Sequence, residues 1–163
     1  MPFWDGFAAE ASELADLVQA RFDATGLGLL ATVRRDGSPR ISPVEPMIAA
    51  GDLWLGMMPA SLKAADVRRD PRVALHAATI DTEVHDGDAK VAGRAVPVAE
   101  AGDEMARYRA AVAARAAHVP DGPFPLFRLD LSEASHLQPD ANGQFLVIQI
   151  WRPGREVERI ERR

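Results

Sequence analysis

Two tight glycine turns, Asp36-Gly37 and Gly51-Asp52, constrain this chain more than any other feature. They separate short apolar segments at Leu29–Arg34, Arg40–Met47 and Leu53–Met57, each of which reads as a strand. Strands joined so closely pair antiparallel, because a parallel crossover needs about a dozen residues or more. Pro43 and Pro46 lie inside the second of these segments. Neither has an N–H to give a ladder, so an edge or a bulge is expected there.

The remaining segments extend the same pattern. Residues 8–24 carry Leu14, Leu17, Val18 and Phe22 at helical spacing and stop at Gly26 and Gly28. A short helix is expected over Leu62–Arg69, closed by Asp70-Pro71. Strands are expected at Arg72–Ala78, Ala89–Val98, Leu126–Leu131 and Phe145–Trp151. A second long helix is expected over 101–118, with Met105, Tyr108, Val112 and Ala116 on one face, and Pro120 to Pro125 as the loop after it. A charged tail follows Pro153-Gly154. This order predicts a mainly β (α+β) fold, a small antiparallel barrel of six to seven strands with flanking helices. No repeat or low-complexity linker interrupts it, so residues 1–163 are expected to form one domain.

With no cysteine, disulfide frameworks, zinc ribbons and thiol nucleophiles are excluded. Nineteen bases against 24 acids, net −5, argue against a general nucleic-acid binder. The start lacks a basic and apolar leader pattern, and no uncharged apolar run is long enough for a membrane span, so a cytoplasmic location is expected. The charge is uneven. Residues 28–75 hold seven bases and five acids, so an anionic ligand is best sought there.

Several patterns carry no chemistry. Gly26-Leu27-Gly28-Leu29-Leu30-Ala31 matches G-x-G-x-x-A, but a helix precedes it and a strand follows, the reverse of a dinucleotide site. It reads as a helix cap. His76, His85, His118 and His136 are not spaced as metal ligands, and the acidic run 81–88 lacks calcium-loop spacing. There is no nucleophile elbow and no P-loop.

The segment from Arg40 to Arg72 is more informative. Ser61 stands at the entry of the short helix, where free N–H groups and the helix dipole favour an anion. Lys63 adds a point charge, and Arg40 on a neighbouring strand is within reach of the same place. A plain N-cap with solvated bases explains the same residues, and both readings stand at this level.

The same stretch resembles the pyridoxamine 5'-phosphate oxidase-like superfamily of flavin and deazaflavin oxidoreductases, which have a split β-barrel. The resemblance lies in Leu30 to Arg40, in Ser61 to Lys63, in Arg69 to Leu75, in Gly93 and in Trp151 to Gly154. It implies a homodimer with FMN at the subunit interface and a small-molecule substrate, with neither nucleic acid nor membrane as partner. The cofactor would meet the backbone of Arg40, Ile41, Ser42, Pro43 and Val44, then Gly56 and Met57, with Arg40, Ser61 and Lys63 on its phosphate. Trp151 and Arg152 would come from the partner chain, near the ring.

The pattern departs from the true oxidases at three places. The late histidine of their substrate clamp is missing after Trp151, Leu62 replaces a base beside Lys63, and Glu45 stands where they have lysine. The resemblance therefore does not bring oxidation of pyridoxamine phosphate with it, and no catalytic acid or base is assigned. Besides a purely structural split barrel with no anion at Ser61 and Lys63, two other readings remain open. One is a deazaflavin coenzyme with an acidic tail served by Arg68, Arg69 and Arg72. The other is a flavin- or haem-binding module without turnover.

Overall fold

The computed structural model describes residues 2–115 and 122–163. Ala116, His118 and the start of the loop expected at Pro120 lie outside the described residues.

The single N-terminal helix expected over 8–24 is two helices, α1 (Trp4–Glu10) and α2 (Ser12–Thr25). Ala11 leaves the helical region between them, with φ −148° and ψ 61°. The bend turns Trp4 and Phe7 onto the same core as Leu14, Ala15, Val18 and Phe22. Gly26 closes α2 at φ 66°, a left-handed conformation that glycine adopts without steric cost, and its N–H bonds Phe22 O.

The strands are β1 (Gly28–Val33), β2 (Pro39–Val44), β3 (Pro46–Ala49) and β4 (Asp52–Gly56), then β5 (Arg72–Ala77) and β6 (Asp88–Pro97) after α3 (Leu62–Arg69). Helix α4 (Asp103–Ala114) precedes β7 (Leu126–Pro139), β8 (Leu146–Trp151) and β9 (Glu158–Arg162). Every pairing is antiparallel. The order is β2-β1-β5-β6-β7-β4-β3, with β8 on β7 and β9 on β8.

Among the described residues nine strands therefore form where six to seven are expected. The second expected strand divides at Glu45, β7 runs on past Leu131, and the charged tail contributes β9. β9 was hidden because Glu158, Arg159, Glu161 and Arg162 leave no apolar alternation. Backbone pairing to β8 holds it, and its charges protect an open edge.

β2 and β3 stand at opposite ends of this order, yet only Glu45 separates them in sequence. Val44 and Pro46 are thus at most about 7 Å apart, so the sheet must roll until its ends meet. Chain continuity, not a hydrogen-bonded ladder, joins the two ends, and the barrel is split. β7 creates the second branch. Its first residues pair with β4 at Trp54–Gly56, and its last six pair with β8.

The long β6–β7 ladder slips one residue at Ala92/Gly93, leaving Ser132 as the extra residue. Gly93 is required there, because any Cβ would collide with the Asp130 backbone oxygen.

The larger core lies inside the barrel and under α1 and α2, from Phe7 and Phe22 to Leu30, Leu75, Leu129 and Trp151. A smaller one, Trp54, Met105, Phe124 and Leu126, packs α4 on the outer face of β4. Asp52, only 1% exposed, ties this corner by ion pairs to Arg107 at 3.0 Å and Arg128 at 2.8 Å. Among the described residues no helix is long and apolar enough to cross a membrane.

Candidate functional site

Among the described residues β2 pairs with β1 alone, so its other edge is open. Lys63 Nζ donates to Pro43 O at 3.4 Å, which shows that this carbonyl points off the open edge. Residues in an antiparallel ladder alternate between bonded and non-bonded pairs. Ile41, two residues away, therefore also turns its N–H and C=O outward. Pro43, with no N–H, sits where the ladder asks for none. The side chains alternate too. Arg40, Ser42 and Val44 turn inward, and Ile41 and Pro43 are exposed.

Helix α3 lies against the inward-facing side. Ser61 is its N-cap, with Oγ accepting from Ala64 N at 3.3 Å. The capping role expected as one of two readings is thus filled. The N–H groups of Leu62 and Lys63 stay free of intrahelical partners. The fold brings Arg40, Pro43, Ser61 and Lys63 to one corner.

Arg40 is not a free cation there. Its Nε donates to Asp66 Oδ2 at 2.6 Å. Asp66 is 4% exposed and also accepts from Thr32 Oγ1 at 3.2 Å and from both terminal nitrogens of Arg69 at 3.3 Å. Burial pushes the Asp66 carboxyl up, but the bonds from Arg40 and Arg69 outweigh it and hold the group below the usual carboxylate range. Arg69 also donates to Val33 O. Arg72 is held by Asp70 through Nε at 3.0 Å and Nη2 at 2.6 Å, and this pairing lowers Asp70 to about 2. Two of the three bases considered for an acidic tail are thereby paired within the chain.

A cleft of about 670 Å³ opens beside this corner, between α3 and the turn joining β1 to β2. Leu62, Ala65, Asp66 and Arg69 form its helical wall, one face of α3, opposite Arg34 and Arg35. The sequence reading missed Arg34 and Arg35. The only signal for them was the excess of bases between residues 28 and 75.

Gly56 ends β4 under the hydroxyl of Tyr108. A Cβ at Gly56 would stand 3.4 Å from Tyr108 Oη. Burial raises the Tyr108 phenol, Arg109 opposes this and Glu45 adds to it, so the hydroxyl lies in the field of the seam carboxylate. Tyr108, the chain's one tyrosine, was expected only as a helix-face residue. Nothing local in the sequence marks its approach to Gly56. Met57 is 4% exposed, and its N–H is committed to Pro125 O at 2.9 Å.

Trp151 is in the core of its own chain. It is fully buried, its ring centroid is 4.6 Å from that of Phe7, and its Nε1 donates to Glu10 Oε2 at 3.0 Å. Arg152 is at the surface between Glu133 and Glu158, at 2.9 and 3.2 Å. Neither stands with the group around Lys63 in the contacts it makes. His76 and His85 pair with Asp88 and Asp81 at 3.0 and 2.8 Å. Among the described residues no group of three potential ligands is placed to hold a metal.

Known proteins share this architecture. The Nostoc punctiforme PCC 73102 pyridoxamine 5'-phosphate oxidase-related, FMN binding protein superposes with TM-score 0.64 at 14% identity, over 94% of this chain and 96% of that one. PhzG from Burkholderia lata 383, solved with tetrahydrophenazine-1-carboxylic acid, gives TM-score 0.61 at 15% identity, over 93% and 91%. A heme binding protein from Mycobacterium smegmatis gives 0.54 at 23% identity, over 89% of this chain and 57% of that one. At these identities the likeness is one of fold. No curated protein matches by sequence. Residues 14–138 match the family model for pyridoxamine 5'-phosphate oxidase, which covers well over half of the chain, and the chain belongs to that family.

Proposed function

We propose that this chain binds FMN along the open edge of β2 and acts as an oxidoreductase on a small organic substrate, as a homodimer. The observation that carries the reading is the corner where Lys63 meets Pro43 O beside the N-terminus of α3. A flat heteroaromatic ring needs backbone donors and acceptors along one edge, which Ile41 and Pro43 offer. A phosphate needs a cation and free N–H groups, which Lys63 and the first turn of α3 offer. The Nostoc protein, of the same fold, is described as FMN binding.

FMN, when bound, supplies the hydride chemistry, and the protein supplies orientation and field. The Ile41 N–H, on the open edge of β2, would supply a fixed donor to the ring's edge. Glu45, at the seam, and Tyr108, whose hydroxyl lies in its field, would bear on the substrate more than on the phosphate. Ser61 orders the helix entry, and Lys63 provides the charge. Arg40 acts mainly through Asp66, setting how α3 lies on β2.

Exposed apolar side chains support the dimer. Ile41 is 70% exposed, Met58 76% and Leu62 66%, and Leu29 on the paired strand is 45% exposed. A patch of this kind around one strand marks an association surface. A second copy covering it would enclose the open edge of β2.

Titration of FMN into the purified protein, followed by flavin absorbance, tests the reading. Saturable micromolar binding is expected. No binding of FMN at millimolar concentration would overturn it.

A further inference from the structure

We infer that β9 is a second self-association surface, on which two copies of this chain pair antiparallel about a two-fold axis through Ile160. The contact is separate from the apolar patch around β2 and does not depend on the flavin reading.

Among the described residues β9 pairs with β8 alone, so the backbone of its other edge is unpaired. The strand reads Glu158-Arg159-Ile160-Glu161-Arg162. Laid antiparallel on a second copy of itself, it is complementary at every position. Glu158 stands opposite Arg162, Arg159 opposite Glu161, and Ile160 opposite Ile160. Opposite charges directly across a ladder stabilise it, and like charges destabilise it. Other alignments fail on this ground. A slip of one residue sets Glu158 against Glu161, or Arg159 against Arg162. A slip of two sets Arg159 or Glu161 against itself, and parallel pairing in register sets every charge against its like. The charges that keep foreign strands off the edge thus admit one partner in one register.

The neighbouring strands continue the match. Leu137, Ile148 and Ile160 stand directly opposite one another on β7, β8 and β9, and all three are half-buried. This aliphatic row stops at the open edge with Ile160. A second copy carries it on through its own Ile160, so it runs unbroken from one Leu137 to the other. Arg159 and Glu161 are available for the contact. Their side chains are 59% and 57% exposed, and they meet each other at 3.6 Å, an exposed pairing that contributes little. Glu158 meets Arg152 at 3.2 Å through Oε2, and a carboxylate accepts at two oxygens.

Five paired residues make a ladder of about 17 Å. That is too short to bury by itself the roughly 1,200 Å² of a stable interface, so the contact is weak and concentration-dependent. β9 ends the branch that leaves β7, and β2 ends the main strand order. A chain with two separate two-fold contacts builds assemblies larger than a dimer.

Charge exchange on β9 tests this, read by sedimentation velocity over a concentration series at low salt, where exposed charges are least screened. Every protein in the series carries Ile41→Asp, which removes the contribution of the patch around β2. In that background the unaltered β9 is expected to give a reversible monomer–dimer equilibrium. Arg159→Glu alone and Glu161→Arg alone each set like charges opposite one another, and each is expected to raise the dissociation constant about tenfold or more. An equimolar mixture of these two single variants brings opposite charges together again at both positions. It is expected to recover the association, as is the Arg159→Glu/Glu161→Arg double variant. Rescue by mixing cannot come from a change within one folded chain. No association of the background protein, single variants that associate as it does, or a mixture no better than its separate parts overturns the inference. The first of these outcomes would give the edge to a strand of another protein instead.

Discussion

Arg40 Nε donates to Asp66 Oδ2 across the space between β2 and α3, at 2.6 Å. The pair fixes the helix whose first turn carries Ser61 and Lys63 to the strand whose edge is open. Arg40 is 21% exposed and Asp66 6% at their side chains, so removing one partner leaves the other poorly solvated. Asp66→Asn is expected to destabilise the fold by about 3 kcal/mol. The midpoint of urea unfolding measures this, and an unchanged midpoint would mean that the pair contributes nothing to the fold.

Lys63→Ala removes the one amino group at the candidate phosphate seat. FMN affinity is expected to fall by about 1.5–3 kcal/mol, roughly ten- to a hundredfold. Fluorescence quenching of FMN reports it. Affinity equal to that of the wild type would free Lys63 of that role.

His136 predicts a pH dependence. It is 1% exposed, and neither ring nitrogen has a hydrogen-bond partner among the described residues. Burial lowers its ionisation below the ordinary imidazole value, and Arg21 adds to this while Asp88 opposes it. A base depressed in the folded state binds its proton more readily when unfolded. Stability is therefore full above about pH 6.5 and falls as pH drops below it. The lowered carboxylates Asp66 and Asp70 act in the same direction, but only below about pH 4. His85 is raised by Asp81 and acts in the opposite direction. Melting temperatures between pH 5 and 7.5 should decline toward acid in the wild type and much less in His136→Phe. Equal slopes in both proteins would exclude His136 as the cause.

Gly93→Ala sets a Cβ against the Asp130 backbone oxygen at the β6–β7 bulge. Two paired backbones must move apart, which is expected to cost about 3 kcal/mol. Chemical unfolding measures it, and a neutral result would show that the ladder relaxes there.

Ile41→Asp places a charge in the exposed apolar patch. Under the dimer reading it shifts the protein toward monomer by tenfold or more in dissociation constant, about 1.4 kcal/mol. Light scattering across a dilution series reports the mass. A wild type that is monomeric at every concentration sinks the dimer outright.

Local chemistry was legible in the sequence. Asp36-Gly37 and Gly51 impose tight turns between antiparallel strands, although the second turn is made by Ala50-Gly51 and Asp52 already begins β4. Pro43 and Pro46 lack N–H donors, and both stand on terminal strands of the order. Ser61 caps a helix, as its side chain and position require. These features involve residues a few positions apart, so their physics is complete within a short window.

Only the tertiary structure decided the rest. Glu45 joins the two ends of the sheet because the five strands between β2 and β3 roll it round, which no local window contains. Arg40 meets Asp66 26 residues away, and Tyr108 reaches Gly56 across 52, because helices cross strands at angles that packing sets. Trp151 and Glu10 are 141 residues apart, and their bond exists because α1 folds back onto the barrel. Charge and residue type alone could nominate the bases of the candidate anion site. Which of them are free depends on carboxylates brought from elsewhere in the chain, and that pairing is a property of the folded surface.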